Sequence, residues 1–159
     1  MNILVRESIP KDMPQVLDLI KDLAVFEKEA NAVEVTVETL INEGFGKDPL
    51  FTCFVAEVEN KIVGMALVYY RFSTWKGRTI HLEDLIVKEK MRGTGIGKEL
   101  YSKVITYAYE KKVKRIEWAV LDWNVGAIKF YERSGAKVMK NWYITHMEES
   151  GIKNYIATL

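Results

Sequence analysis

The segment Arg92-Gly93-Thr94-Gly95-Ile96-Gly97-Lys98 carries the sharpest chemical signal in the chain. It follows a strand-like run and opens a helical one. A helix N-terminus leaves backbone N–H groups unpaired and carries a partial positive charge. Glycines let that backbone approach a phosphate closely, and Arg92 and Lys98 add formal charge. A Walker loop would need glycine at Arg92 and Ser or Thr after Lys98, where Glu99 stands. A dinucleotide fingerprint starting at Gly93 would need glycine or alanine at Lys98, and a strand that opens a βαβ unit. What remains is an Arg-Gly-x-Gly-x-Gly loop between strand and helix. On its residues alone it is either a phosphate cradle or a glycine-rich turn.

Other chemistry is easier to exclude. Cys53 is the single cysteine, so no intrachain disulfide can form. It sits in the apolar run Leu50–Ala56 and reads as a buried small hydrophobe rather than a nucleophile. His81 and His146 are the only histidines and belong to no metal-ligand cluster, so no metal is expected. Lys plus Arg number 23 and Asp plus Glu 22, for a net charge of +1. The basic stretch Lys111-Lys112-Val113-Lys114-Arg115 reads as a solvated helix end, so no nucleic-acid partner is expected. The N-terminus lacks a signal-peptide pattern and no apolar run approaches membrane length. A cytoplasmic protein with no membrane association is the expectation.

The elements that must position the loop follow from periodicity. With 48% hydrophobic and 28% charged residues, the chain reads as a single globular domain over 1–159. Residues 2–7 predict a strand. Asp12 predicts a helix cap, with Met13, Val16, Leu17, Ile20, Leu23 and Ala24 at helical spacing to about Glu29. A second helix is predicted over Thr36–Glu43. Residues 51–59, 62–72 and 79–88 predict three strands joined by short turns, hence an antiparallel meander. Residues 95–111 predict a helix with Ile96, Leu100, Val104 and Ala108 on one face. Residues 115–121 predict a strand reached by a parallel crossover. Asn124 predicts the N-cap of a helix over 125–134 that stops at Gly135. Residues 137–147 and 152–158 predict two closing strands around Glu149-Ser150-Gly151. The sum is about seven strands and about four helices, a mixed, mostly antiparallel sheet in an α/β (α+β) domain.

The loop, with Leu82-Glu83-Asp84-Leu85-Ile86-Val87 before it and Val120-Leu121-Asp122-Trp123-Asn124 and Phe130-Tyr131-Glu132-Arg133-Ser134-Gly135-Ala136 after it, resembles the GNAT superfamily of N-acetyltransferases. Leu23-Ala24-Val25-Phe26-Glu27 and Gly44-Phe45-Gly46 look like its diamine acetyltransferase branch. The resemblance covers most of residues 3–142. Ser73–Ile80 and Ala119–Asn124 look most like the thialysine (S-aminoethyl-cysteine) acetyltransferases. Spermidine/spermine enzymes usually carry acidic residues at Ser73 and shortly before Trp142, where Lys140 and Asn141 stand here. Both departures remove negative charge that would attract a polycation.

The resemblance implies a GNAT-type acyl-CoA N-acyltransferase fold, acetyl-CoA as co-substrate and a small primary amine as acceptor. It assigns Arg92, Gly93, Thr94, Gly95, Ile96, Gly97 and Lys98 to the pyrophosphate. It assigns Leu85, Ile86 and Val87 to the pantetheine arm, with Asn124, Ala127 and Tyr131 also along the cofactor. A primary amine with a pKa near ~10.4 is mostly protonated at neutral pH, so a base must act. Glu83 is the candidate base, directly or through water, and Tyr131 the candidate acid for the departing thiolate. Phe26, Glu27, Trp75, Glu83 and Asp84 map to the acceptor side. Simple alternation puts Glu83 and Asp84 on opposite faces. A β-bulge frequent in this fold would bring both to the cleft. That cleft is implied where the strands at 79–88 and 115–121 part. A homodimer is the implied assembly. The competing readings are a protein or peptide N-acetyltransferase and a non-catalytic acyl-CoA-binding module.

Overall fold

The computed structural model describes residues 2–159. The chain forms two compact units, one reaching Ala119 and one from Val120 to Leu159. The first contains a five-stranded sheet in the order β1 (Leu4–Glu7), β2 (Thr52–Val58), β3 (Lys61–Ser73), β4 (Gly77–Val87), β5 (Ile116–Glu117). All neighbours are antiparallel except β4 and β5, which run parallel. The meander closes by short turns. Glu59 and Asn60 both take positive φ (50° and 60°), matching a two-residue hairpin turn to the twist of β2 and β3.

Two apolar layers sandwich the sheet. On one face, α3 (Ile96–Glu110) lays Ile96, Leu100, Val104 and Ala108 against Phe54, Ala66, Val68, Ile80, Leu82 and Val87. On the other, α1 (Met13–Phe26) and α2 (Val37–Phe45) pack Met13, Val16, Leu17, Leu19 and Leu40 against Cys53, Val55, Met65, Leu67 and Ile86. β3 therefore reads as an unbroken apolar run, Ile62 to Val68, because both its faces are covered.

Several boundaries differ from the sequence reading. α1 ends at Phe26, three residues early, because Lys28 turns to φ +66° and the Glu29 N–H reaches back to Ala24. Asp12 stands before α1 but does not cap it. Its carboxylate accepts from the Ile9 N–H at 2.8 Å and pairs with Arg6 at 2.7 Å. Thr36 does cap α2, accepting from the Thr39 N–H at 3.1 Å. The strand expected over 115–121 pairs only at Ile116 and Glu117.

The second unit holds α4 (Val125–Arg133) and α5 (Glu149–Ile156). Asn124 caps α4, its side chain accepting from the Ala127 N–H at 3.2 Å. The two closing strands expected here are absent among the described residues, so the sheet has five strands rather than about seven. Residues 137–147 alternate like a strand but have no ladder partner, and a strand needs one. The segment expected at 152–158 is α5 instead. Ile152, Tyr155 and Ile156 fall at helical spacing, and Glu149 pairs with Lys153 one turn on. No helix among the described residues is long and apolar enough to cross a membrane.

Candidate active site

The site begins with one extra residue in β4. Leu67 of β3 pairs with Asp84 and Val68 with Leu82, so Glu83 is bulged out of the ladder. Strand period is two, yet Leu82 and Leu85, three apart, both face the α3 layer. The bulge thus resets the parity of the strand. Glu83 and Asp84 come to the opposite face together, the face covered by α1.

Burial there is costly for charge. Asp84 is mostly buried, and desolvation, with the nearby carboxylates of Glu83 and Glu27, pushes its pKa up to about 6. Glu27, just past α1 and largely on the surface, is also raised, by desolvation and then by Glu83. Burial and the Glu83 charge raise the Tyr69 phenol. These carboxylates make one anionic cluster that a cation would relieve. Next along the strand, His81 Nε2 lies 3.5 Å from Glu83 Oε2, and His81 Nδ1 lies 3.3 Å from Arg71 Nη1. Arginine has no acceptor, so Nδ1 accepts. Desolvation holds His81 below its ordinary pKa, which favours the neutral ring.

β4 pairs with β5 only at Ile80 and His81. From Leu82 to Val87 its β5 side has no strand partner among the described residues. Backbone groups that point to that edge between Leu85 and Val87 face a bound chain, save the Val87 carbonyl, which accepts from Arg92. At the end of β4 the chain enters the glycine loop. Gly93 and Gly95 take φ of +77° and +95°, conformations that side chains disfavour. A Cβ at either would meet nothing within 4 Å, so the space before them is open. Gly95 is the N-cap of α3 and offers no side-chain acceptor, which leaves the first-turn N–H groups at Ile96, Gly97 and Lys98 aimed outward. Thr94 Oγ1 donates to the Met91 carbonyl at 2.6 Å and braces the turn. The loop therefore fits a diphosphate by its backbone. Arg92 also braces the loop. Its Nε donates to the Val87 carbonyl at 3.2 Å and its guanidinium lies 5.0 Å from the Phe26 ring, tying the loop to the end of α1.

Trp75 lies at the tip of the β3–β4 hairpin and is 81% exposed. Cys53 is buried, and desolvation pushes its thiol to about 12, so it is not a thiolate at neutral pH. In the second unit, Asn124 and Tyr131 stand two turns apart on α4, with Tyr131 partly buried beside Phe130 (ring centroids 5.4 Å). Sequence reasoning did not pick out His81, Arg71 or Tyr69. The signal was present: His81 sits two residues before Glu83, on the same strand face.

Residues 14–136 match the sequence profile of the Acetyltransferase (GNAT) family. The chain belongs to the GNAT family. As a GNAT member it is an N-acetyltransferase with acetyl-CoA as co-substrate, and the glycine loop and open β4 edge suit that molecule. The GNAT chain is 36% identical to the thialysine N-epsilon-acetyltransferase of Bos taurus, over 95% of each chain. It is 34% identical to the human spermidine/spermine N(1)-acetyltransferase-like protein 1, over 83% of this chain and 20% of that one. A predicted acetyltransferase from Clostridium acetobutylicum, solved with acetyl-CoA, shares the fold with a TM-score of 0.75 at 16% identity, covering 92% of this chain and 97% of that one.

Proposed function

We propose that this GNAT enzyme acetylates a primary amine of a small molecule, of thialysine, diamine or polyamine type, by direct transfer in a ternary complex. The anionic cluster of Glu27, Glu83 and Asp84, set by the bulge beside the open edge of β4, carries the reading. It would draw an ammonium to the point where the thioester arrives, and similarity to the thialysine enzyme supports the same acceptor class. Phe26 and Trp75 complete the acceptor side.

Arg92, Gly93, Thr94, Gly95, Ile96, Gly97 and Lys98 hold the diphosphate, the backbone of Leu85, Ile86 and Val87 holds the pantetheine arm, and Asn124 and Ala127 lie along it. Glu83, through water, takes the ammonium proton. The amine nitrogen then bonds to the acetyl carbon, a free N–H at the bulge polarises the carbonyl, and the C–S bond breaks. Tyr131 gives its proton to the leaving sulfur, and the surplus proton on the new amide nitrogen restores the phenol through water. No acyl-enzyme is needed, which agrees with the protonated state of Cys53.

We propose further that residues 1–159 act as one catalytic domain, as the family match running from 14 to 136 across both units supports. A cytoplasmic homodimer completes the reading. Trp142, Tyr143, Ile144 and Ile156 stand exposed, apolar surface that a second copy would cover. Thiol release from acetyl-CoA, measured across thialysine, lysine, spermidine, short diamines and a peptide N-terminus, tests the function. Turnover on the peptide alone would reassign the acceptor. CoA binding without turnover on any amine would leave a binding module.

A further inference from the structure

A cation stands beyond the carboxylates on the same sheet face. Arg71 pairs across the ladder with Thr79, and Tyr69 with His81, so their side chains share the face of Glu83. One imidazole ring separates the guanidinium from the carboxylate, with contacts of 3.3 Å to Arg71 and 3.5 Å to Glu83. Arg71 is not consumed by its neighbours. Its approach to Glu117 is loose at 3.9 Å, and Glu117 is held more closely by Arg115 at 3.2 Å. Its contacts with His81 and Glu117 both use Nη1, which leaves other donors of its fork to offer, and the side chain is 48% exposed and within reach of a ligand.

We propose that Arg71 determines acceptor specificity by pairing with a carboxylate at the end of the acceptor remote from the reacting amine, which makes the preferred acceptor a small ω-amino acid. This deepens the function proposed above and rests on it. The site then has two poles on one face. Glu83 and Asp84 receive the ammonium, His81 forms a neutral spacer, and Arg71 receives the carboxylate through its planar fork. The same guanidinium opposes a polyamine, whose second ammonium would meet a like charge where the carboxylate belongs. Ser73, two residues further along β3, adds no acid there, and the nearby Glu117 carboxylate is held more closely by Arg115.

The test compares kcat/KM for lysine and cadaverine, which differ by the carboxylate alone, in the full-length wild type, Arg71→Gln and Arg71→Lys. Wild type is expected to favour lysine by roughly tenfold or more, the scale of one charge-assisted pair at a half-exposed position. Arg71→Gln should collapse that ratio through the KM for lysine, and Arg71→Lys, which keeps the charge without the fork, should fall between. Circular dichroism establishes that each variant is folded. Should Arg71→Gln not fold, the wild-type ratio and Arg71→Lys decide. A wild-type ratio near one, or equal losses on both acceptors in the variants, overturns the proposal. Turnover of diamines without carboxylate preference sinks this inference alone. Folded wild type that acetylates none of lysine, thialysine, cadaverine and spermidine sinks the function it rests on.

Discussion

Asp84→Asn should stabilise the protein at neutral pH while weakening acceptor binding. The carboxyl rises from an ordinary 3.8 to about 6 on folding. Once ionised, such a group costs the fold roughly 3 kcal/mol, at about 1.4 kcal/mol per tenfold change in proton affinity. The sign follows from the raised pKa. Below 3.8 both states are protonated and nothing is lost. As pH climbs toward 6 the unfolded chain releases its proton first, and stability falls. Above 6 the full cost is present. Asparagine keeps the shape and removes the charge, and it also relieves Glu83 and Glu27, which help to cause the shift. Allowing for relaxation and water entry, the gain at pH 8 should be about 1–3 kcal/mol. Urea melts of both proteins at pH 3.5, 5, 6.5 and 8 measure it. The two should coincide at the lowest pH and separate progressively to about pH 6. A constant separation at every pH, or none at pH 8, would refute the electrostatic origin. In the same variant the KM for the amine should rise, since stability and ammonium attraction are set against each other at this residue.

Tyr131→Phe should lower kcat by about 100-fold or more while the KM for acetyl-CoA stays near wild type, measured by steady-state thiol release. Gly95→Ala meets no clash within the chain but strains a φ of +95°, so it should cost about 1 kcal/mol of stability. Its Cβ also enters the space before the loop, so calorimetry should show acetyl-CoA affinity falling by roughly tenfold or more. Asn124→Ala removes the acceptor of the Ala127 N–H and should destabilise α4 by about 1 kcal/mol, read in a thermal melt.

Much of the fold was legible because local and tertiary preferences agreed. The face Ile96, Leu100, Val104 and Ala108 was visible as a period and is buried as one. The meander was visible from its short turns. The C-terminal unit was misread because its residues satisfy two periods. Ile152 to Ile156 serves a strand as well as a helix until an ion pair and helical spacing decide, and an alternating run such as 137–147 becomes a strand only where a partner offers its ladder. At the site, Glu83 and Asp84 were visible as residue types, but strict alternation divides them between faces. Only the pairing with Leu67 and Val68 reveals the extra residue. Arg71 and His81 were hidden for a related reason: a charged residue on a strand carries no sign of its cross-strand neighbour.

That extra residue between Leu82 and Asp84 also ties packing to reactivity. Four leucine, isoleucine and valine side chains, at 80, 82, 85 and 87, lock β4 onto α3 only if the count between them includes the bulge. Deleting one residue would force either the apolar anchors or the acids to the wrong side. Substitutions at 83 and 84 change the chemistry of the site and leave the scaffold standing, whereas a change in chain length there is punished by folding itself. Evolution can thus vary which amine this strand serves far more freely than it can vary where the strand holds it.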